Sequence, residues 1–314
     1  MNLRNLGKSG LRVSIAGLGC NNFGARIDLE ATRKVVDKAI DLGITLFDTA
    51  DIYGNKGGSE TMLGAVLGDR RKNIILATKF GMQMETPEKK GASRRYIMSE
   101  VEDSLRRLRT DWIDLYQLHE ADPRTPIEET LRALDDVIRQ GKARYIGCSN
   151  VPAWGVVEAE WTARSSGTNK FISTQNEYSL LARDIDRDLV PVVEAYGLGL
   201  LPYFPLANGL LTGKYDRAKP MPEGARLTGN QRLADRLLTD DNWRKVEKLT
   251  EFAITRGHSL LDLAFAWLLA RPGVASVIAG ATKPEQLDQN VKAVDWQLTA
   301  AELDEVDKIT GAAY

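Results

Sequence analysis

Four side chains of different chemical types stand at or just after the ends of short apolar runs: Asp48 and Tyr53 in LFDTADIYG (46–54), Lys79 in NIILATKF (73–80) and His119 in WIDLYQLH (112–119). A tyrosine titrates near ~10 and is a poor proton donor at neutral pH, whereas a cation beside its oxygen lowers that value. Lys79 is of the type to supply the charge, and a carboxylate such as Asp48 keeps a pocket lysine protonated. His119, placed across from Tyr53, would let phenol and imidazole bond one carbonyl oxygen. The reaction that needs this set is carbonyl reduction, in which hydride reaches carbon while Tyr53 protonates oxygen. General acid help of this kind is worth roughly 10²- to 10⁴-fold. Taken singly, each residue has a plainer reading: Asp48 as a turn acid, Tyr53 as a loop aromatic, Lys79 as a cation snorkelling to water, His119 as a structural histidine. Asp51 reads as turn chemistry, and His258, ahead of a helix start, has no assigned role.

Positioning these groups is the work of the elements that carry them. Strand-like runs recur at 13–19, 44–49, 73–80, 112–119, 143–150, 171–178, 198–206 and 275–281, each bounded by polar or glycine signals. Helical periods lie between them. Asp28 caps a helix over 29–42 that Gly43 ends, Thr125, Pro126 and Glu128 predict a capping box, and further helices are expected over 99–109, 152–164, 186–197, 259–271 and 283–294. Eight such units in alternation imply parallel strands closed into a (β/α)₈ TIM barrel, an α/β fold of one domain over residues 1–314. Residues 1–13 predict a hairpin capping the barrel bottom, 207–241 a functional loop after the seventh strand, and Thr299 with Glu302 the cap of a final outer helix. In such a barrel chemistry sits at the carboxyl ends of the strands, where Asp48, Tyr53, Lys79, His119, Ser149, Asn150 and Gln175 all fall.

Composition narrows the partners. Lys and Arg (42) nearly balance Asp and Glu (43), so no global field recruits nucleic acid or an anionic membrane, and small molecules are the expected partners. Two cysteines, Cys20 and Cys148, are too few for a disulfide framework. With no secretory signal and no long apolar run, a cytoplasmic setting is expected. The sequence leaves oligomeric state open.

The motifs FDTADIYG, ATKFG, YQLHE, GCSN, TQNEY, PLANGLLTGKY and GATKPEQLDQN, in this order, resemble the aldo-keto reductase superfamily, and the resemblance runs from LGKSGLRVS to the last helix. It implies an NAD(P)H-dependent reductase with Asp48, Tyr53, Lys79 and His119 as the catalytic tetrad. It also implies that Ser149, Asn150 and Gln175 bond the nicotinamide carboxamide and that Tyr203 stacks on its ring; a capped helix start and a core aromatic remain the plain alternatives. Further cofactor contacts are expected from Gly19, Cys20, Asp48, Phe204, Leu206, Lys214, Gly280, Thr282, Gln286, Gln289 and Asn290. No G-x-G-x-x-G follows the first strand, but Thr282 and Glu285 with Pro284 predict a capping box, which leaves a helix N-terminus as an anion site beside the eighth strand. Where another branch of the family grips the 2′-phosphate with Lys and Arg, this chain has Gly280 and Gln286. That pattern resembles the branch including potassium-channel β subunits, so NADPH is favoured over NADH, with Lys214, Arg226 and Lys283 supplying charge. Asn21, Asn22, Phe23, Met82 and Glu120, with a loop tryptophan such as Trp154, are expected to shape the substrate pocket. Oxidation of Cys20 or Cys148 near the mouth would impair binding. The rival reading is a cofactor-binding regulatory or scaffold protein like those β subunits; the intact tetrad and the absence of an extra N-terminal segment favour the enzyme.

Overall fold

The computed structural model describes residues 1–311. Its first two strands, β1 (Leu3–Asn5) and β2 (Arg12–Ser14), form the expected antiparallel hairpin. The remaining strands are β3 (Ala16–Gly19), β4 (Leu46–Asp48), β5 (Ile75–Phe80), β6 (Ile113–Leu118), β7 (Ala143–Ser149), β8 (Ser173–Glu177), β9 (Gly199–Tyr203) and β10 (Val277–Gly280). They make one parallel sheet in the order β10-β3-β4-β5-β6-β7-β8-β9. Closure comes from the segment just before β10, where Leu200 N donates to Gly273 O at 2.7 Å and Ala275 N to Leu200 O at 3.1 Å. The eight-stranded barrel therefore stands as expected, with one division: the run 13–19 belongs to both sheets. Ser14 marks the break, because its hydroxyl accepts from Thr45 N and donates to Ala16 O while the chain passes from hairpin to barrel.

The helices are α1 (Leu29–Asp41), α2 (Tyr53–Leu67), α3 (Arg94–Leu108), α4 (Ile127–Arg139), α5 (Ala153–Ser166), α6 (Leu189–Tyr196), α7 (Gln231–Leu237), α8 (Asp240–Ile254), α9 (Leu260–Leu269), α10 (Pro284–Lys292) and α11 (Ala300–Thr310). Asp28 caps α1, and Thr299 with Glu302 forms the capping box of α11. Two capping expectations are corrected. Pro126 occupies the N-cap of α4, and the Thr125 hydroxyl donates to Asp122 Oδ2 at 2.8 Å instead. At α10 the folded-back side chain is Gln286, not Glu285: its Oε1 accepts from Thr282 N at 2.7 Å and Lys283 N at 3.3 Å. Helix α3 starts earlier than expected, behind the Ser93 cap. Helices α2, α7 and α8 were not foreseen, and α7 lies inside the stretch 207–241 expected to be loop. Glycines at 54, 57, 58, 64 and 68 mask the first, α7 ends the long loop and α8 follows directly on α7.

Two apolar layers hold the barrel. Leu6, Leu11 and Val13 of the hairpin meet Leu46, Ala77, Leu115 and Leu201 in the lower interior, so the hairpin closes the bottom. Gly7 is required there: its φ is +60° and a Cβ would lie 2.5 Å from Gly199 N. The larger layer lies between strands and helices and includes Phe47, Leu76, Phe80, Tyr116 and Leu118. No helix among the described residues is long and apolar enough to cross a membrane.

Candidate active site

The two-residue period of a strand decides which side chains enter the barrel. Apolar residues low in the interior, Leu46, Ala77, Leu115 and Leu201, set the phase. Two or four positions further on, the same face carries Asp48, Lys79, Gln117, His119 and Tyr203. In β7 and β8 the equivalent positions are Ser149 and Gln175. Polar groups from adjacent strands thus meet above an apolar floor.

At the centre, Lys79 is fully buried and donates to Asp48 Oδ2 at 2.7 Å, to Thr49 O at 2.8 Å and to Tyr53 Oη at 3.4 Å. Asp48 Oδ1 accepts from Gln175 Nε2 at 2.9 Å and from Gln117 Nε2 at 3.4 Å. Tyr53 leads into a left-handed turn: residues 54–57 all have positive φ, and regular helix begins only after them. Gly54 permits this, because a Cβ would lie 2.3 Å from Phe23 O and 2.4 Å from Ser59 N. Lys56 Nζ ties the turn to Met84 O at 2.8 Å. His119 faces Tyr53 edge-on with ring centroids 5.7 Å apart.

Burial pushes the Lys79 ammonium toward deprotonation, but Asp48 and then Tyr53 outweigh it, so the lysine ends above its ordinary value and stays charged. For Tyr53 the expected direction is reversed. Burial raises the phenol more than Lys79 lowers it, Asp48 adds to the rise, and the group ends above ~10 and is neutral at pH ~7. Burial and then Lys79 hold His119 well below the ordinary histidine range, so its imidazole is neutral. The site can therefore present two neutral hydrogen-bond donors to one oxygen, with a fixed cation behind the phenol.

These groups open into a cavity of about 720 Å³. Asp48, Tyr53, Met82, His119, Ser149, Asn150, Gln175 and Tyr203 line one part, and Gly19, Gly280, Thr282, Gln286, Gln289 and Asn290 another. Phe204, Leu206 and Lys214 line it from the β9 end and the long loop. Asn150 Nδ2 donates to Ser149 Oγ at 3.0 Å, and Tyr203 Oη donates to Asn150 Oδ1 at 2.9 Å, so the three act as one shelf. Asn21 and Asn22 also line the cavity, but beside Gly280: a Cβ there would lie 3.3 Å from Asn21 Oδ1 and 3.1 Å from Asn22 Nδ2. The asparagines occupy the space a longer side chain at 280 would need.

Several expected residues do not reach the cavity. Cys20 and Phe23 are fully buried in the layer between strands and helices, since Gly19 takes the inward phase and Cys20 the outward one. Burial raises the Cys20 thiol well above its usual value and pushes Cys148 up to about 12, so neither is poised for oxidation. Glu120 does not line the cavity, and Trp154 is 71% exposed on α5. Lys283 is the N-cap of α10 and also lies outside the lining. Asp51 is not turn chemistry: it is fully buried behind the barrel wall, with Tyr96 Oη 3.5 Å from its Oδ2.

Sequence reasoning missed Gln117 and Arg26. The signal for Gln117 was its place two residues before His119, which aims it inward. Arg26 lines the cavity with Lys214 and Arg226, and among the described residues none of the three pairs with a carboxylate. Arg226 instead donates to Asn22 Oδ1 at 2.9 Å and Asn208 Oδ1 at 3.4 Å, and Arg26 to Gly224 O at 3.1 Å. Burial lowers both Lys214 and Arg226, and mutual repulsion with Arg26 lowers them further. An anion would relieve that repulsion.

Comparison with known proteins gives a concordant picture. A model of the aldo/keto reductase family matches residues 16–310. A probable voltage-gated potassium channel subunit beta of Oryza sativa subsp. japonica is 38% identical, the match covering 94% of this chain and 92% of that one. A protein of the same description from Arabidopsis thaliana is 38% identical over 98% and 96% of the two chains. An uncharacterized oxidoreductase of Bacillus subtilis (strain 168) is 37% identical over 93% and 91%.

Proposed function

The chain belongs to the aldo/keto reductase family and is an NAD(P)H-dependent oxidoreductase, and from that premise we propose that it reduces aldehydes or ketones with Tyr53 as the proton donor. The observation that carries this reading is the bonded series Asp48, Lys79, Tyr53 with neutral His119 across from the phenol.

The cavity fits a dinucleotide in size and in the order of its lining. Ser149, Asn150 and Gln175 would hold the carboxamide, with Tyr203 under the ring. Gln175 suits this role because its amide nitrogen is engaged by Asp48, which leaves Oε1 to accept from the carboxamide. Arg26, Lys214 and Arg226 would take the phosphates, and three cations there support NADPH over NADH. When bound, the nicotinamide supplies the hydride. Tyr53 and His119 bond the carbonyl oxygen, and Tyr53 gives up its proton as charge develops on that oxygen. Lys79 then stabilises the phenolate at 3.4 Å, and Asp48 keeps Lys79 charged throughout. Met82 lines the cavity beside this centre and would meet the substrate. We take the chain as one domain in a cytoplasmic setting.

A second reading, a regulatory cofactor-binding subunit, is favoured by the descriptions of the plant relatives. NADPH absorbance followed with a panel of carbonyls, with Tyr53→Phe as control, separates the two. Turnover abolished by Tyr53→Phe supports the reductase; tight NADPH binding with no turnover on any carbonyl supports the subunit.

A further inference from the structure

The two oxygens of Asp48 are held by different partners. Oδ2 meets Lys79, while among the described residues Oδ1 accepts only from amide nitrogens, Gln175 at 2.9 Å and Gln117 at 3.4 Å. A carboxylate beside an ammonium has no proton to give, so each glutamine must turn its NH₂ toward it, which fixes both amide orientations. Gln175 faces the cavity and has a task there; Gln117 does not line the cavity and is fully buried between Leu115 and His119 on β6. An amide in that place costs desolvation, and its Oε1 has no partner among the described residues. The contact it does make is with Asp48.

We propose that Gln117 is a positioning residue for proton transfer, fixing the Asp48 carboxylate so that Lys79 is aimed at the Tyr53 oxygen. It shares Oδ1 with Gln175, so Asp48 stays oriented when Gln175 is also engaged by a ligand. The proposal rests on the reductase reading of the Asp48, Lys79 and Tyr53 series. Charged and titratable groups facing Tyr53 are Lys79 on β5, Asp48 at the end of β4, Asp51 on its own turn, His119 after β6 and Tyr203 on β9. Gln117 acts on the Asp48 member of this set. Withdrawing a donor concentrates negative charge on Asp48, which disfavours phenolate.

The test compares wild type, Gln117→Met and Gln117→Glu in NADPH-dependent carbonyl reduction across pH. Gln117→Met keeps the shape and removes the donor. Its kcat falls about tenfold, as for a lost hydrogen bond to a charged group. KM for NADPH stays unchanged, and the alkaline limb of the kcat profile moves to higher pH. Gln117→Glu has a proton to donate only while its own carboxyl is neutral. Its kcat approaches wild type in acid and falls as the pH rises, ahead of the wild-type limb. An unchanged kcat and limb in Gln117→Met overturns the proposal. So does a fall in kcat with an unmoved limb and no recovery of Gln117→Glu in acid, the mark of a packing role. An ultraviolet difference titration of the Tyr53 phenol, taken against Tyr53→Phe, reads the same shift without turnover. Should wild type reduce no carbonyl, that reading alone fails, and the titration still decides whether Gln117 governs Tyr53.

Discussion

Replacing Lys79 by Met tests the logic of the whole site, because the lysine is held by charge rather than by packing. Its ammonium is fully buried and pairs with a carboxylate that is only 5% exposed. Removing it leaves Asp48 with two amide donors and no counter-charge, a situation that costs about 3–5 kcal/mol in buried pairs. The double variant Lys79→Met with Asp48→Asn removes both charges, and pairs replaced together are often near neutral or better. The expected order in denaturant melts at pH ~8 is therefore wild type, then the double variant, then Lys79→Met, with the last two separated by roughly 2 kcal/mol or more. The single variant can shed its stranded charge by taking up a proton. Its deficit accordingly shrinks as pH falls, by at most about 1.4 kcal/mol per pH unit, while that of the double variant barely changes. Both variants lose carbonyl reduction, so recovered stability is not recovered function. The reasoning is refuted if Lys79→Met costs less than about 1 kcal/mol, or if adding Asp48→Asn makes it no more stable.

Further predictions follow the same physics. Asp51→Asn should stabilise the protein at neutral pH. Burial and then Glu60 and Glu100 raise the Asp51 carboxyl well above its usual range, so its favourable share is complete below the unfolded value near ~3.9 and lost as pH rises toward the native one. Melts at pH ~5 and ~8 should show the variant's advantage growing with pH, at up to about 1.4 kcal/mol per unit. Arg226→Met should weaken NADPH more than NADH in fluorescence titrations, with the difference narrowing at high salt; equal loss for both nucleotides would assign Arg226 to its hydrogen bonds with Asn22 and Asn208 alone. His119→Phe should lower kcat by about 10²-fold without moving the Tyr53 limb, since the neutral imidazole adds no charge at the phenol. In the native protein Cys20 and Cys148 should resist thiol alkylation at neutral pH and react only on unfolding, followed by mass spectrometry.

The barrel and its central charges were legible because alternation and polarity agree: Asp48 and Lys79 each have a plain reading alone, but opposite charges at the inward phase of adjacent strand ends do not. What escaped the sequence had local signals that pointed elsewhere. Helix α2 is rich in glycine because its first turn is left-handed and its later residues pack against α3, where a Cβ on Gly64 would lie 2.3 Å from Arg107 O. Cys20 and Phe23 sit beside the cavity-lining Gly19, Asn21 and Asn22 in sequence yet pack into the outer apolar layer. Asp51 was the hardest to read, since DTAD resembles turn chemistry and nothing nearby shows that Glu60, Glu100 and Arg107 converge behind the wall. Arg107 donates from Nε to Glu60 at 2.7 Å and also pairs with Glu100, so one guanidinium serves two carboxylates and Asp51 is the third. Burial and then Glu60 and Glu100 raise the Asp51 carboxyl, which favours its protonated form and so lessens that excess of charge. Its N–H donates to Lys79 O at 3.0 Å, which anchors the start of the Tyr53 turn to the strand that carries the lysine. The acid that looked incidental in the sequence thus ties, through its backbone, the two residues on whose separation the proposed proton transfer depends.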